Sequence, residues 1–197
     1  MGKAVGILDG LVARVLATYP YRFTLATEQA DREMAYRIRA RVVADAGWVL
    51  GELPDGQERD EFDEDAVQVL GWEGAQAVCT GRLVLPPVPL PTERVCGMVI
   101  APSGRVVDVG RMAVVPERRD VSHAVFVALL CRLYLEMRNR GYDVACGMMS
   151  RRTRRLARLL GLELEELGAD REYWGEPRAP VRFELLANTA PISRRWD

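Results

Sequence analysis

The sequence predicts one α+β domain over residues 1–197, in which a mixed, twisted sheet carries helices on both faces. Three observations favour this class. Apolar residues make up 49% of the 197-residue chain, which is enough for one sizeable core. β-Branched apolar runs alternate with stretches of helical spacing in the order α β α β β β α β α β. A valine-rich run, VVDVGRMAVV from residue 106, indicates a buried central strand.

Helices are predicted where apolar residues recur every three or four positions. Residues 1–20 hold an amphipathic N-terminal helix whose apolar side carries Val5, Leu8, Val12 and Val15. A second helix follows Thr27, which is a suitable N-cap, and Gly47 stops it. A third helix begins at residue 122, and a fourth spans 151–161.

Strands are predicted where β-branched and aromatic residues alternate or run together between turn residues. The predicted strands cover residues 21–27, 67–70, 77–85, 106–115, 142–149 and 181–187. The second and third are joined by the turn GWEGAQ and form a hairpin. The Pro-rich segment 86–104 is long for a connection, and long ordered loops are usually functional or mobile.

Composition excludes several classes of protein. A net charge of −1 and a pI near 6.0 give no global attraction to nucleic acid. No apolar run approaches the roughly 20 residues that a membrane span needs, and Asp9 within the first apolar segment argues against a signal peptide. The four cysteines lack metal-site spacing, and the single His123 could not complete a zinc site. We therefore expect no metal, and reduced thiols in a cytoplasmic protein.

The central strand leads into a turn suited to an anion. Asp108, Gly110 and Arg111 interrupt the apolar run, and a glycine there suggests a bulge. The following turn, ERRDVSHA, places cations and free backbone N–H groups at the start of a helix. Such a helix N-terminus attracts anions such as a pyrophosphate.

This turn resembles a known family signature. Residues 114–124 are similar to V-x-P-x-x-R-x-x-G-x-A, the acyl-thioester signature of the GNAT N-acyltransferases, although Ser122 stands where the family prefers glycine. The resemblance implies a GNAT-like fold. The cofactor-binding residues that it implies are Met112, Val114, Arg119, Ser122, His123 and Ala124. We expect His123 to begin the helix rather than to act as a catalytic acid.

A second resemblance covers residues 39–162. Its elements are Arg39 with Val43, the pair Gly47-Trp48, E-x-D-x-x-D at Glu58, Asp60 and Asp63, Arg82 in GRL, and D-x-G-R at Asp108 and Arg111. In order and spacing they are similar to the acyl-homoserine-lactone synthases and the N-acyl amino acid synthases. The resemblance implies transfer of a fatty acyl group from an acyl carrier protein, through its phosphopantetheine thioester, or from acyl-CoA to the amine of a small acceptor.

The implied catalytic residues are Asp108, Arg111, Asp60 and Asp63. A backbone N–H at Met112 or Val114 can stabilise the thioester oxyanion. Asp108 is the candidate proton acceptor. The related synthases usually carry Glu at that position, so the shorter side chain favours a water relay. Asp60 and Asp63 would hold the amine.

The acidic run 51–65 has simpler interpretations. It is either a solvated loop or, because Phe62 lies within it, a loop anchored on the core. Arg39, Glu58 and Arg82 would then bind substrate or form structural ion pairs. The N-terminal helix is expected to pack on the domain, with the lining of an acyl tunnel as the alternative.

An arginine cluster lies on the fourth helix. It would dock an acidic acyl carrier protein or the 3′-phosphate of coenzyme A, or else be a solvated face paired with glutamates 163, 165 and 166. The cluster comprises Arg151, Arg152, Arg154, Arg155 and Arg158.

The resemblance leaves the acceptor open between an amino acid and S-adenosylmethionine. Aspartate at position 108 and valine rather than phenylalanine at position 43 favour the amino acid synthases. The alternatives are an ordinary acetyl-CoA-dependent N-acetyltransferase and a non-catalytic module that binds an acyl ligand. The oligomeric state is left open.

Overall fold

The computed structural model describes residues 2–48, 51–120, 123–185 and 187–188. Its helices are α1 (Gly2–Thr18), α2 (Gln29–Asp45), α3 (Pro91–Cys96), α4 (Ala124–Asn139) and α5 (Arg151–Leu159), with 3₁₀ turns at Pro54–Gly56 and Pro116–Arg118. Its strands are β1 (Tyr21–Leu25), β2 (Val67–Glu73), β3 (Gln76–Val84), β4 (Val106–Val114), β5 (Val144–Ser150), β6 (Glu165–Glu166), β7 (Arg171–Tyr173) and β8 (Glu176–Glu184). Within these ranges, every helix is too short or too polar to cross a membrane.

The eight strands form one mixed sheet in the order β1-β2-β3-β4-β5-β8-β6, with β7 paired to β8. Neighbouring strands are antiparallel except β4 and β5, which run parallel. Side chains of adjacent residues point to opposite faces of a strand. On one face of β3, a Cβ at Gly81 would meet Leu133 of α4. On the other face, the neighbouring Arg82 contacts the acidic loop, which Arg39 of α2 also contacts. The predicted sheet with helices on both faces is confirmed.

The parallel pair β4–β5 is open at one end. The two strands pair only over 106–108 and 144–146. A Cβ at Gly147 would lie 2.5 Å from the carbonyl oxygen of Val109, so glycine is needed where the strands last approach. Beyond that point β4 and β5 are not paired with each other, and a gap lies between their ends.

Apolar packing follows the two faces of the sheet. The larger cluster surrounds β2, β3 and β4 with residues from α1, α2 and α4. A smaller cluster lies under the segment 86–104 and includes Phe62, Leu90 and Val106. Phe62 is 8% exposed, so the anchored-loop interpretation of the acidic run is confirmed.

Several local predictions were wrong. Thr27 does not cap α2, which has Glu28 at its N-cap without a side-chain hydrogen bond. β8 begins at Glu176 rather than at residue 181, because Pro177 and Pro180 interrupt the strand pattern in the sequence. α3, β6 and β7 were missed, since elements of two to six residues are too short to show a period. Gly47, with φ of 67°, ends α2 as predicted.

Candidate functional site

An apolar cavity of about 130 Å³ lies between α1, α4 and the opening of β4 and β5. Its walls are almost entirely hydrocarbon and sulfur. They include Leu8, Leu11, Val12 and Val15 of α1, Val109 and Met112 of β4, Val127, Leu130, Cys131 and Met137 of α4, and Phe183 of β8. Leu8, Leu11 and Val12 belong to the main apolar cluster, so α1 packs on the domain as expected, and these residues also line the cavity. That the cavity holds an acyl chain stays a prediction.

A hydrogen bond ties α1 to α4 beside this cavity. The Tyr134 hydroxyl donates to the Asp9 carboxylate at 2.5 Å, and burial raises the pKa of that phenol. The aspartate that interrupts the apolar N-terminal segment therefore fixes the helix over the cavity.

A larger cleft of about 880 Å³ opens at the ends of β4 and β5. Met112 lines both the cleft and the apolar cavity. The other walls come from the turn after β4, the start of α5 and the β7–β8 hairpin, and they include Trp48, Val114, Arg118, Arg119, Asp120, His123, Ser150, Arg152, Arg155, Trp174, Glu176 and Arg178. The charged cleft and the apolar cavity therefore meet at Met112 of the central strand.

The predicted bulge in β4 is confirmed. The register of β3 and β4 shifts between Thr80 and Arg82, and Arg111 has a φ of 50°. Residues 111 and 112 have no register partner in β3 or in β5. Met112 at the bulge therefore lies outside the regular pairing of both neighbouring strands, whereas Val114 is paired with Cys79.

The turn after β4 surrounds the start of α4. Arg119 donates to the Val114 carbonyl at 2.9 Å and pairs with Asp45 at 2.6 Å. His123 is the N-cap of α4, as expected, and has a φ of 55°. The N–H of Ala124 donates to Asp120. Ser122 lies outside the described residues.

Six charged side chains of the predicted site form one buried network. Arg39 pairs with Glu58 at 2.7 Å and Asp63 at 2.6 Å, and Arg82 pairs with Asp60 at 2.5 Å and Asp63 at 2.8 Å. Arg111 completes it with Glu58 at 3.0 Å and Asp60 at 2.7 Å. The solvated-loop interpretation is wrong for these three acids, because burial of unpaired charge is costly and each carboxylate has two guanidinium partners.

Asp63 lies at the centre of this network. It accepts hydrogen bonds from Arg39, Arg82, Gln68 and the backbone N–H of Asp60. Burial alone would raise the pKa of Asp63, but the hydrogen bonds and charges of Arg39 and Arg82 outweigh it and hold that pKa well below its usual range. Asp63 lines neither the cavity nor the cleft.

Asp108 is fully enclosed. Its carboxylate accepts the backbone N–H of Thr92 at the start of α3, at 2.7 Å, and lies 3.6 Å from the Cys146 thiol. Burial raises the pKa of Asp108, and hydrogen bonds from Thr92 oppose that shift. The residue is 3% exposed and lines neither the cavity nor the cleft. Direct contact with an acceptor in the cleft is therefore not available to it.

The arginines of α5 divide into two groups. Arg154 is buried, donates to the Met149 carbonyl and pairs with Asp170 at 3.0 Å, so its predicted docking role is wrong. Arg158 is exposed and pairs with Glu166. Arg151, Arg152 and Arg155 are exposed and have no ion pair among the described residues, and the last two line the cleft.

Sequence reasoning missed the β7–β8 hairpin. Tyr173 accepts a hydrogen bond from Arg111 at 2.8 Å, and Trp174, Glu176 and Arg178 form one wall of the cleft. The signal was the Trp-Gly pair at 174–175, a turn flanked by charged and aromatic residues, but its short strands concealed it.

No protein-family model matches the sequence, and a search of curated proteins finds no match. Solved structures do share the fold. The chain aligns with the acyl-homoserine-lactone synthase LasI at a TM-score of 0.71 and 16% identity, covering 87% of this chain and 93% of that one. BjaI, a CoA-dependent acyl-homoserine lactone synthase solved with SAM and isopentyl-CoA, aligns at 0.72 and 21%, covering 89% and 88%. FeeM, an N-acyl amino acid synthase from uncultured soil microbes, aligns at 0.70 and 16%, covering 88% and 97%. The GNAT-like fold is thereby confirmed.

Proposed function

We propose that the protein is an N-acyltransferase, which moves an acyl group from a coenzyme A or acyl-carrier-protein thioester to the amine of a small acceptor, an amino acid or S-adenosylmethionine. The observation that carries this proposal is the junction at Met112, where the apolar cavity meets the charged cleft. An acyl thioester has the same division, with a hydrocarbon chain on one side of its carbonyl and an anionic carrier on the other.

The bulge supplies the reaction centre. The acyl chain enters the apolar cavity, and the thioester carbonyl accepts a hydrogen bond from the backbone N–H of Met112, which lies at the bulge. A donor positioned where negative charge develops stabilises the tetrahedral intermediate without a catalytic serine or cysteine. The acceptor amine, once neutral, attacks the carbonyl carbon and forms the C–N bond. The C–S bond then breaks, the nitrogen gives up a proton, and the thiolate takes up a proton and leaves as the thiol.

The anionic carrier of the acyl donor would bind at the turn after β4. The N-terminus of α4 carries the positive end of the helix dipole, which favours phosphate. Arg152 and Arg155, exposed on the opposite wall, add positive charge for a 3′-phosphate or for the acidic surface of a carrier protein. The four cysteines are free thiols, which fits action in the reducing cytoplasm.

Cavity size favours a medium acyl chain over acetyl. An engineered apolar cavity of roughly 150 Å³ binds benzene, so the cavity of about 130 Å³ has room for a chain of about six carbons. Each buried CH₂ is worth about 0.8 kcal/mol. Two further carbons should therefore raise kcat/KM up to roughly 15-fold until the cavity is full.

The experiment is a donor series of acetyl-, butyryl-, hexanoyl-, octanoyl- and decanoyl-CoA with a pool of amino acids and S-adenosylmethionine, with products identified by mass spectrometry. The variant Val127→Phe, inside the cavity, should move the optimum to shorter chains. Val99→Phe, on the surface at 76% exposure, is the matched control. A preference for acetyl over hexanoyl would contradict the proposal and favour an ordinary acetyltransferase.

A further inference from the structure

The tip of the β7–β8 hairpin is a strained and tightly held turn. Trp174 and Gly175 have φ values of 50° and 79° and connect the paired residues Tyr173 and Glu176. Two central residues with positive φ are typical of a type I′ turn, where Gly, Asn and Asp are preferred. A tryptophan there is strained, and strained residues cluster at functional sites.

Aromatic rings and guanidinium groups stack across this tip. The Arg178 guanidinium lies 5.2 Å from the Trp48 ring and 5.3 Å from the Trp174 ring. Arg111, which also has a positive φ, lies 5.0 Å from the Trp174 ring on the side of the β4 bulge. A Cβ at Gly175 would be 2.3 Å from Trp48, so only glycine admits this packing. The stack holds the hairpin beside the bulge where the thioester carbonyl would lie.

Two opposite charges line the cleft at this tip. Glu176 and Arg178 form an ion pair of 2.7 Å with side chains 33% and 10% exposed. Glu176 and Asp120 are the carboxylates among the cleft-lining residues, and Asp120 belongs to the turn at the start of α4. An adjacent carboxylate and guanidinium are complementary to an ammonium and a carboxylate on one carbon, and guanidinium binds carboxylate in a planar fork.

The same stack disfavours an acceptor with a second positive charge. Rings that would attract a sulfonium already carry guanidinium groups: Trp48 has Arg178, Tyr173 has Arg111, and Trp174 has both. The buried indole N–H of Trp174 has no hydrogen-bond partner among the described residues. A buried donor of this kind is normally satisfied, and a bound acceptor oxygen would satisfy it.

We infer that the Glu176–Arg178 pair, held between Trp48 and Trp174, is the subsite for the acyl acceptor and binds a zwitterionic α-amino acid. Glu176 receives the ammonium and Arg178 the carboxylate, and the amine faces the thioester in the same cleft. This inference rests on the proposed function and names the acceptor class that the proposal leaves open.

The test measures steady-state kinetics with hexanoyl-CoA and three kinds of acceptor: each proteinogenic amino acid, the amine that lacks the carboxylate of the best amino acid, and S-adenosylmethionine. Wild-type protein should prefer the amino acid to both. Glu176→Gln should raise the KM for the amino acid about 10- to 100-fold, which is the effect of one lost charged hydrogen bond. Arg178→Gln should remove the preference for the amino acid over the decarboxylated amine. The KM for hexanoyl-CoA should change little in either variant.

Glu172→Gln is the matched control, because Glu172 is exposed on the same hairpin and does not line the cleft. Melting temperatures show whether each variant is folded; Glu176→Gln keeps the side-chain shape and is the variant on which the result depends. Unchanged acceptor KM in this variant, or preference of the wild type for S-adenosylmethionine, overturns the inference and leaves the acyltransferase proposal intact. Wild-type protein that binds the amino acid by calorimetry but consumes no thioester supports the subsite and overturns the proposed function.

Discussion

Replacing Asp63 by asparagine tests the buried network most directly. The change removes one negative charge among Arg39, Arg82 and Arg111 and puts an amide NH₂ where an oxygen accepts hydrogen bonds. The Arg39 and Asp63 side chains are 0% and 4% exposed, so the uncompensated positive charge stays buried. Removal of one partner from a buried pair costs about 3–5 kcal/mol of the free energy of unfolding.

For a domain of this size, about 1 kcal/mol corresponds to roughly 2–4 °C in Tm. We therefore expect Asp63→Asn to melt roughly 6–20 °C below the wild type at neutral pH. The matched control is Asp65→Asn, in the same loop but exposed, which should stay within about 0.5 kcal/mol of the wild type. Thermal and urea unfolding of the three proteins measure both quantities.

The same carboxylate predicts a dependence on pH. Because the pKa of Asp63 is lower in the folded chain than in the unfolded chain, its stabilising effect is present above the unfolded pKa of about 3.9 and is lost as the pH falls. The difference in Tm between wild type and Asp63→Asn should therefore narrow in acid. Equal stability of Asp63→Asn and Asp65→Asn at neutral pH would refute the reasoning and return the loop to a solvated surface.

Two further predictions concern the donor and the proton acceptor. The double change Arg152→Glu and Arg155→Glu should raise KM for an acyl-carrier donor with little change in kcat. The rise in KM should be smaller with added salt, because salt screens exposed charges beyond about 8–10 Å. Arg151→Glu is the control, because Arg151 is exposed but lies outside the cleft. Asp108→Asn should lower kcat about 10²–10⁴-fold if Asp108 accepts the proton through water. A folded Asp108→Asn variant with wild-type kcat would instead limit that side chain to anchoring the start of α3.

The sequence alone predicted the parts of the fold that depend on neighbouring residues. Periodicity and positive φ are local properties, and they allowed the prediction of α1, of the apolar β4 with its bulge, and of the end of α2 at Gly47. The same is true of the acids and arginines of the site, whose spacing carried the family resemblance. The single-domain extent stays a prediction.

Tertiary structure decided which of these residues are buried, paired or open to a ligand. The acidic run does not reveal that Asp63 is buried whereas Glu61 is 60% exposed, because the burial of Asp63 depends on guanidinium groups from two distant elements, α2 and β3. Nor does the arginine cluster reveal that Arg154 turns inward to Asp170. The β7–β8 hairpin reaches Arg111 through Tyr173, which lies 62 positions further along the chain, and the cavity exists only where α1 covers the opening of β4 and β5. Burial, pairing and cavities arise from contacts between segments far apart in the chain, and such contacts are set by the packed fold.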